Sequence, residues 1–250
     1  MSIKDILFNS EKKVAWLCDP DKIAEQKLIY TARVAQNAGA DMVLIGGSHL
    51  QFNGLDHCIE LIRSACSLPI VLFPGNCMQI SPLADAILFL SLISGRNPDL
   101  LIGQHVNVAY QLQQSKLEII PTGYMLIDSG MPTSVSYISN TMPIPRDKTD
   151  IAVSTAIAGE LLGMQAVYLE AGSGAALTVP LQCVKAVKEH THLPIIVGGG
   201  INNGKIAKSI LLNGADMIVI GNAAEENPDC LFDILSYIKK TPFNAEENQQ

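Results

Sequence analysis

The sequence predicts an α/β fold in which eight parallel strands alternate with helices and close into a single (β/α)8 barrel. Apolar runs of strand length recur eight times, and a helical pattern follows most of them. The chain has 250 residues, a typical length for such a barrel. Hydrophobic residues make up 48% of the chain and charged residues 16%, which indicates a large buried core. An open, doubly wound sheet is the alternative arrangement of the same elements.

The predicted strands are continuous apolar runs rather than alternating ones. This pattern is typical of parallel strands that are buried on both faces. In chain order the strands are predicted at 14–18, 42–45, 70–73, 86–92, 118–127, 166–169, 195–197 and 217–220.

Helical patterns fill most of the intervals between these strands. Glycine follows several of them and proline begins others, which is the usual punctuation of helices. The helices are predicted at 21–37, 56–66, 98–115, 149–162, 180–190, 203–213 and 228–239. Asp21 is interpreted as the N-cap of the first of these helices, because helix-forming residues follow it.

One interval departs from a regular barrel. Between the third and fourth strands, residues 74–85 read PGNCMQISPLAD, with two prolines, one glycine and no helical period. The sequence therefore predicts that an extended loop replaces the third helix. Residues 1–240 are predicted to form one domain, and the polar residues 241–250 a disordered tail.

Composition limits the class of protein. A net charge of −7 argues against a nucleic-acid partner, because nucleic-acid-binding proteins show a basic footprint. The six cysteines form no C-x-x-C pair and lie mostly in apolar runs, so we expect reduced thiols in a cytoplasmic protein. The N-terminus lacks the apolar region of a signal peptide, and no apolar run reaches the roughly 20 residues that span a bilayer.

The loops after the seventh and eighth predicted strands are glycine-rich. They read IIVGGGI and IVIGN, and contain Gly199, Gly200, Gly221 and Asn222. In barrels of this kind the same two loops often bind a phosphate through backbone N–H groups, which glycine lets the ligand approach closely. The alternative is that these glycines only form tight turns.

The sixth predicted strand ends in YLEAGSGA, residues 168–175, which puts a carboxylate on a buried strand. A buried carboxylate needs a partner. Glu170 is predicted to bind or deprotonate a hydroxyl of a phosphorylated ligand, and Tyr168 lies on the same face. A buried ion pair for Glu170 and core packing for Tyr168 are the alternatives.

The segment Asp19-Pro20-Asp21-Lys22 follows the first predicted strand. Asp19, with Ser48 from the end of the second strand, is a candidate ligand of Mg²⁺, which prefers oxygen donors. Lys22 is either a surface residue or a phosphate contact. His49 is a weaker candidate for contact with the ligand, and a metal site built from histidines is not indicated.

Taken together, the motifs at the strand ends resemble the geranylgeranylglyceryl phosphate synthase family, which includes bacterial heptaprenylglyceryl phosphate synthases. The resemblance covers about residues 14–238, and the motifs are similar to those of the family in order and spacing. DPDK and SGRNP resemble the longer branch of the family. The motifs are LCDPDK, VLIGGS, FPGN, SGRNPDLLIG, IPTGYMLIDSG, TSVSYISNTMPIP, YLEAGSGA, VGGGI and ADMIVIGN.

The resemblance implies a Mg²⁺-dependent prenyltransferase on a modified TIM-type barrel that lacks the third helix. Such an enzyme joins sn-glycerol 1-phosphate to a prenyl diphosphate, here most simply geranylgeranyl diphosphate, and releases pyrophosphate. It also implies a homo-oligomer and peripheral contact with a membrane. Rival interpretations are another barrel enzyme acting on a sugar phosphate, and a non-catalytic barrel that binds FMN or a nucleotide.

Site residues follow from the same resemblance, position by position. Asp19 and Ser48 match the magnesium ligands, and the remaining matches belong to the glycerol phosphate site and its phosphate clamp. These are Tyr168, Leu169, Glu170, Ala171, Gly172, Ser173, Gly174, Gly199, Gly200, Gly221 and Asn222. Some members carry a lysine where this chain has Leu17, and Lys22 is the candidate replacement for its charge. The prenyl chain is expected to lie along the flank left open by the missing helix, near Phe73, Pro74, Leu83 and Tyr124.

Overall fold

Eight parallel strands form a closed barrel in the computed structural model, which describes residues 2–48 and 54–240. Their order around the barrel is the order of the chain, and the first strand pairs with the eighth. The strands are β1 Lys13–Cys18, β2 Met42–Ile45, β3 Ile70–Leu72, β4 Ala86–Leu92, β5 Glu118–Leu126, β6 Ala166–Glu170, β7 Ile195–Gly198 and β8 Met217–Ile220. The predicted (β/α)8 barrel is therefore confirmed, and the open sheet is wrong. His49 and the predicted tail, 241–250, lie outside the described residues.

Ten α-helices and one π-helical turn surround the strands in the described part of the chain. The helices are α1 Ile3–Phe8, α2 Glu25–Ala38, α3 Leu55–Ala65, α4 Gln104–Gln114, α5 Ser134–Ser139, α6 Thr149–Leu161, α7 Leu181–His190, α8 Gly204–Leu212, α9 Asn222–Glu226 and α10 Cys230–Lys240. The π-helical turn, Asp99–Gly103, leads directly into α4. None of these helices is long and apolar enough to cross a membrane.

The core has two apolar layers because successive side chains of each strand point to opposite faces of the sheet. Trp16 and Val167, for example, pack between the sheet and the helices, whereas Leu44 and Leu88 fill the inside of the barrel. This double burial explains why the strands appear in the sequence as unbroken apolar runs.

No helix forms between β3 and β4, since all of residues 73–85 are described and none is helical. The predicted loss of the third helix is confirmed. The buried side chain of Gln79 holds this loop in place: its amide nitrogen donates to the carbonyl of Gly47 at 2.9 Å, and its oxygen accepts from the N–H of Gly75 at 3.1 Å. The loop is thereby tied to the turn after β2.

The start of α2 corrects one prediction. The helix begins at Glu25 after Ala24, which makes no side-chain cap, so Asp21 is not its N-cap. Instead residues 19–22 form a turn in which the N–H of Lys22 donates to the carbonyl of Asp19 at 3.1 Å. The Asp19 carboxylate also accepts from the N–H of Asp21 at 3.2 Å. An aspartate that satisfies the backbone two residues on favours a turn over a helix.

Helix α1 was not predicted, and it closes the end of the barrel at which the strands begin. Ile3 and Leu7 pack into the inner apolar layer. The N-terminus of α1 is capped by Ser2, and the carboxylate of Glu118 on β5 accepts the N–H groups of Ile3 at 2.6 Å and Lys4 at 3.0 Å. A charge from a distant strand thus satisfies the free donors that begin the helix.

The contact between Glu118 and α1 should be worth a measurable part of the free energy of unfolding. We expect Glu118→Ala to lower it by about 1–2 kcal/mol, because two N–H groups lose their acceptor. The matched control is Glu60→Ala on the exposed face of α3, which should change it by less than about 0.5 kcal/mol. Urea unfolding at pH 7 measures both, and equal effects of the two substitutions would contradict the capping role.

Candidate active site

The carboxyl ends of the strands open into one polar cavity of about 520 Å³. Barrel enzymes carry their chemistry at this end. The cavity is lined by eleven of the site residues expected from the sequence, which are Asp19, Lys22, Ser48, Tyr168, Glu170, Ser173, Gly174, Gly199, Gly200, Gly221 and Asn222. Residues from five of the eight strand ends are therefore brought together.

Glu170 ends β6 inside this cavity, with 6% of its surface exposed. Removal from water raises the pKa of its carboxyl group from 4.5 to about 7. The backbone N–H of Gly172 donates to Oε1 at 2.5 Å, and together with the hydroxyls of Tyr168 and Tyr124 it lowers the pKa, by less than burial raises it. A carboxyl group that titrates near neutral pH is suited to accept a proton.

Two tyrosines face Glu170 from the inner layer. Tyr168 lies two residues before it on β6, and Tyr124 lies opposite Tyr168 in the pairing of β5 with β6. The Tyr168 hydroxyl is buried and makes no hydrogen bond of normal geometry with the described residues. Burial and the charge of Glu170 raise the pKa of both phenols well above the ordinary value.

Glycines of β7 make room for these side chains. A Cβ on Gly198 would overlap the ring and hydroxyl of Tyr168. Gly199 has a φ of +88°, and a Cβ there would lie 2.7 Å from Oε1 of Glu170. Both positions therefore need glycine, one for space and one also for its backbone conformation.

The turn after β6 is fixed by Asn222, the first residue of α9. Its Oδ1 accepts the Ser173 hydroxyl at 2.9 Å and the Gly174 N–H at 3.0 Å. Two donors of this turn are thus used within the protein, as is the N–H of Gly172, which is bound to Glu170. Gly199, Gly200 and Gly221 line the same cavity. Sequence reasoning missed α9 because its five residues carry no helical period.

Asp19 and Lys22 form an ion pair at the edge of the cavity. Lys22 Nζ lies 2.9 Å from Oδ2 of Asp19, and the lysine side chain is 48% exposed. Burial lowers the pKa of Lys22, but the hydrogen bond and charge of Asp19 outweigh it and the net shift is upward. Glu225 of α9, which sequence reasoning missed, also lines the cavity, and burial raises its pKa.

The oxygen donors near Asp19 fit a cation whose coordination shell is completed by substrate. They do not fit a site in which the protein supplies every ligand. No group of three or more histidine, cysteine or acidic side chains could hold a metal within the described residues. Asp19 and Ser48 do line the same cavity, and Mg²⁺ commonly takes one or two carboxylates and completes its shell with substrate phosphates and water. Lys22 would then have to share or yield an oxygen of Asp19.

Three expected site residues do not line the cavity. Leu169 and Ala171 pack in the outer apolar layer, because they alternate with Tyr168 and Glu170 along the strand. Gly172 contributes its N–H to Glu170 instead. Of the described histidines, His105 of α4 lines a second cavity, with Nε2 3.1 Å from Ser91 Oγ.

This second cavity is apolar, measures about 130 Å³, and lies where the third helix is missing. It runs between the loop after β3, strand β4 and helices α4 and α5. Its walls include Phe73, Pro74 and Tyr124, as expected for the prenyl groove, whereas Leu83 is not among its described lining residues. Phe73 and Tyr124 line both cavities, so the two spaces meet at these rings.

Comparisons with known proteins point to one group. A family model described as the PcrB family matches residues 8–240. A geranylgeranylglyceryl phosphate synthase of Spirosoma linguale is 48% identical over 238 residues, which cover 95% of this chain and 96% of the relative. One of Chitinophaga pinensis is 50% identical over 86% of this chain and 85% of its own.

A solved structure agrees with these relatives. It is (S)-3-O-geranylgeranylglyceryl phosphate synthase of Thermoplasma acidophilum in complex with its substrate sn-glycerol 1-phosphate. Its TM-score to this chain is 0.91 at 35% identity, covering 96% of this chain and 100% of that one.

The raised pKa of Glu170 links the stability of the barrel to pH. Well below pH 4.5 the carboxyl is protonated in both the folded and the unfolded chain, and the stability it contributes is fully present. As pH rises toward about 7, the unfolded chain releases this proton while the folded chain keeps it, so stability is lost, and the loss is complete once the folded carboxyl has ionised. We expect Glu170→Gln to abolish this loss, which amounts to about 2–3 kcal/mol in the free energy of unfolding between pH 5 and pH 8. The measurement is urea unfolding at both pH values.

Glu60→Gln, on the surface of α3, is the control for this experiment and should follow the wild type at both pH values. If wild type and Glu170→Gln lose the same stability from pH 5 to pH 8, Glu170 is not the group responsible.

Proposed function

The chain belongs to the PcrB family, and on that basis we propose that it is a prenyltransferase. It joins sn-glycerol 1-phosphate to a prenyl diphosphate through an ether bond and releases pyrophosphate. Geranylgeranyl diphosphate is proposed as the donor, because relatives that are 48% and 50% identical in sequence are geranylgeranylglyceryl phosphate synthases. The acceptor is proposed because a relative with the same fold is known in complex with sn-glycerol 1-phosphate.

One observation of this chain carries the proposal: a buried carboxyl group with a pKa of about 7 lies in a polar cavity that meets an apolar one at Phe73 and Tyr124. A reaction between a phosphorylated alcohol and a prenyl chain needs both spaces and a base between them. Glycine backbone at Gly199, Gly200 and Gly221 would bind the phosphate of the acceptor in the polar cavity. The prenyl chain would lie in the apolar one.

Glu170 acts as the general base in this proposal. Its carboxylate accepts the proton of the free glycerol hydroxyl as that oxygen bonds to C1 of the prenyl chain. The bond between C1 and the diphosphate oxygen breaks, and its electron pair leaves with the diphosphate. A pKa near 7 leaves a large share of Glu170 ionised at neutral pH and still basic enough to accept the proton.

Asp19 and Ser48 would hold Mg²⁺, the proposed cofactor, beside the diphosphate. A bound Mg²⁺ would offset the negative charge that develops on the leaving group. Lys22, at 2.9 Å from Asp19, keeps that carboxylate neutralised in the free protein and supplies positive charge to the same region. Lys22 lines the same cavity as Leu17, where some members carry a lysine, which supports it as the replacement for that charge.

The rival functions lack comparable support. An aldolase would need a lysine in the polar cavity for a Schiff base, and in the described part of the chain Lys22 is the lysine found there, held by Asp19. A barrel that only binds FMN or a nucleotide would have no use for Glu170 as a base. Formation of pyrophosphate from sn-glycerol 1-phosphate and prenyl diphosphates of graded length tests all three and identifies the preferred chain.

Assembly and location are also proposals. Ile102, Val106 and Tyr110 form an exposed apolar stripe along the π-helical turn and α4, and support a homo-oligomer. Ile138 is half exposed at the apolar cavity, and with Met78 supports peripheral membrane contact in a cytoplasmic protein. Sedimentation of the pure protein measures its oligomeric state, and flotation with lipid vesicles measures membrane binding. A monomer would contradict the homo-oligomer, and protein that does not float with the vesicles would contradict membrane contact.

Removing the base should slow the reaction without abolishing binding of the acceptor. We expect Glu170→Gln to lower kcat by about 10²–10⁴-fold, because the hydroxyl loses its proton acceptor. Titration calorimetry should show binding of sn-glycerol 1-phosphate within a few-fold of the wild type. In the wild type, kcat/KM should fall tenfold per pH unit below pH 7, as Glu170 becomes protonated. Glu60→Gln is the control, and near-normal turnover of Glu170→Gln would remove Glu170 from the base role.

The Mg²⁺ site should depend on Asp19 and not on its neighbour in the same turn. We expect Asp19→Asn to raise the Mg²⁺ concentration for half-maximal rate at least about tenfold. Loss of a residue that only supports a metal ligand typically weakens metal binding about 10- to 100-fold, and loss of the ligand itself should cost no less. Calorimetry of Mg²⁺ with inorganic pyrophosphate present should show the same shift. Asp21→Asn, outside the cavity lining, is the matched control. Full activity after treatment with EDTA would contradict the metal.

A further inference from the structure

We propose that Phe73, Tyr124 and Tyr168, which we call the aromatic junction, stabilise positive charge on C1 of the prenyl donor as its diphosphate leaves. This inference rests on the proposed function and adds to it a catalytic role for ring faces that neither bind phosphate nor move protons. It concerns the order of events at the carbon, because a site that stabilises a cation favours bond-breaking ahead of attack.

Position is the first argument. Phe73 and Tyr124 line both the polar and the apolar cavity, and Tyr168 lines the polar one beside Glu170. A substrate with its chain in the apolar cavity and its diphosphate near Asp19 would therefore cross a boundary that these rings help to form. The carbon between the two parts of that substrate, C1, would lie against them.

Packing is the second argument. The ring centroids of Phe73 and Tyr168 lie 5.0 Å apart with planes at 29°, and Tyr124 lies 5.9 Å from Phe73 and 5.3 Å from Tyr168. Every other hydrophobic side chain described in the inner layer is aliphatic or methionine. All of the aromatic surface of that layer is thus concentrated at the place where the cavities meet, although branched aliphatic residues are the usual filling of such barrels.

Charge is the third argument. The face of an aromatic ring attracts a cation within about 6 Å of its centroid, and the attraction strengthens when water is excluded. Phe73 and Tyr124 are each 8% exposed, whereas Tyr168 is fully buried and stacks on Phe73, so C1 would contact Phe73 and Tyr124 with Tyr168 packed behind them. Glu170, once ionised, adds negative charge on the same side.

The chemical step is balanced without any further reactant. The bond between C1 and the diphosphate oxygen breaks with both electrons passing to the diphosphate, and the positive charge is shared over the allylic carbons. The glycerol oxygen then bonds to C1, and its proton passes to Glu170. The rings exchange no atoms or electrons in this sequence, and they only lower the energy of the charged intermediate state.

Fluorination of Phe73 tests the role of its ring face while preserving its shape. Each fluorine withdraws electrons from the face, so we expect the single-turnover rate constant to fall stepwise from Phe73 to its mono-, di- and trifluoro analogues. The total decrease should be roughly 3- to 30-fold. The Kd of sn-glycerol 1-phosphate should stay within about twofold, which a distorted site would not allow.

The same fluorinated analogues at Phe232, which is 40% exposed on α10, are the control and should leave the rate unchanged. Tyr124→Phe keeps the ring and loses the hydroxyl, and should retain a larger share of the rate than Tyr124→Leu, which loses both. If the wild type forms the ether product but fluorination of Phe73 leaves the rate unchanged, the aromatic junction is overturned and the proposed function stands. If the wild type forms no ether product, the proposed function fails and this inference fails with it.

Discussion

The burial of one carboxyl group, Glu170, constrains the architecture around it. A carboxylate taken out of water needs hydrogen-bond donors and space, and the surrounding chain supplies both. The N–H of Gly172 donates to it, Tyr124 and Tyr168 face it, and Gly199 leaves room where a Cβ would collide with it. The pKa of about 7 is the outcome, since these contacts only partly offset the desolvation. The barrel thereby tolerates a destabilising carboxyl group in the cavity where a proton acceptor is proposed to act, and such groups are common at functional sites.

The missing helix after β3 has a comparable role for the apolar substrate. In a regular barrel that helix would cover the outer face of β4, whereas here residues 73–85 run as a loop held by Gln79. The space left beside β4 is the apolar cavity, and it opens toward the polar one at Phe73 and Tyr124. A loss of regular structure on one side of the barrel thus joins two chemically different spaces, and an enzyme that links a glycerol phosphate to a prenyl chain requires that connection.

The strand ends differ in how they contribute. The glycines after β7 and β8 present backbone, Asn222 fixes the turn after β6, and Asp19 after β1 is held by Lys22. Because hydrogen bonds hold the turns after β1 and β6, this part of the polar cavity has a defined shape before any ligand is bound. Such preorganisation reduces the free energy that binding would otherwise spend on ordering the loops.

The sequence by itself determined the strands, the loss of the third helix and the position of Glu170, Asp19 and the glycines at the ends of strands. These depend on local periodicity and on punctuation by glycine and proline, which are readable along the chain. Only the tertiary structure decided which side chains meet. The pairing of β5 with β6 brings Tyr124 beside Tyr168, the turn at 19–22 delays α2 to Glu25, and α1 closes the barrel through Glu118. These contacts join residues far apart in the chain, and strand register and barrel closure decide them. Alternation along β6 separates Leu169 and Ala171 from Tyr168 and Glu170, and barrel closure decides that the face with Glu170 is the inner one.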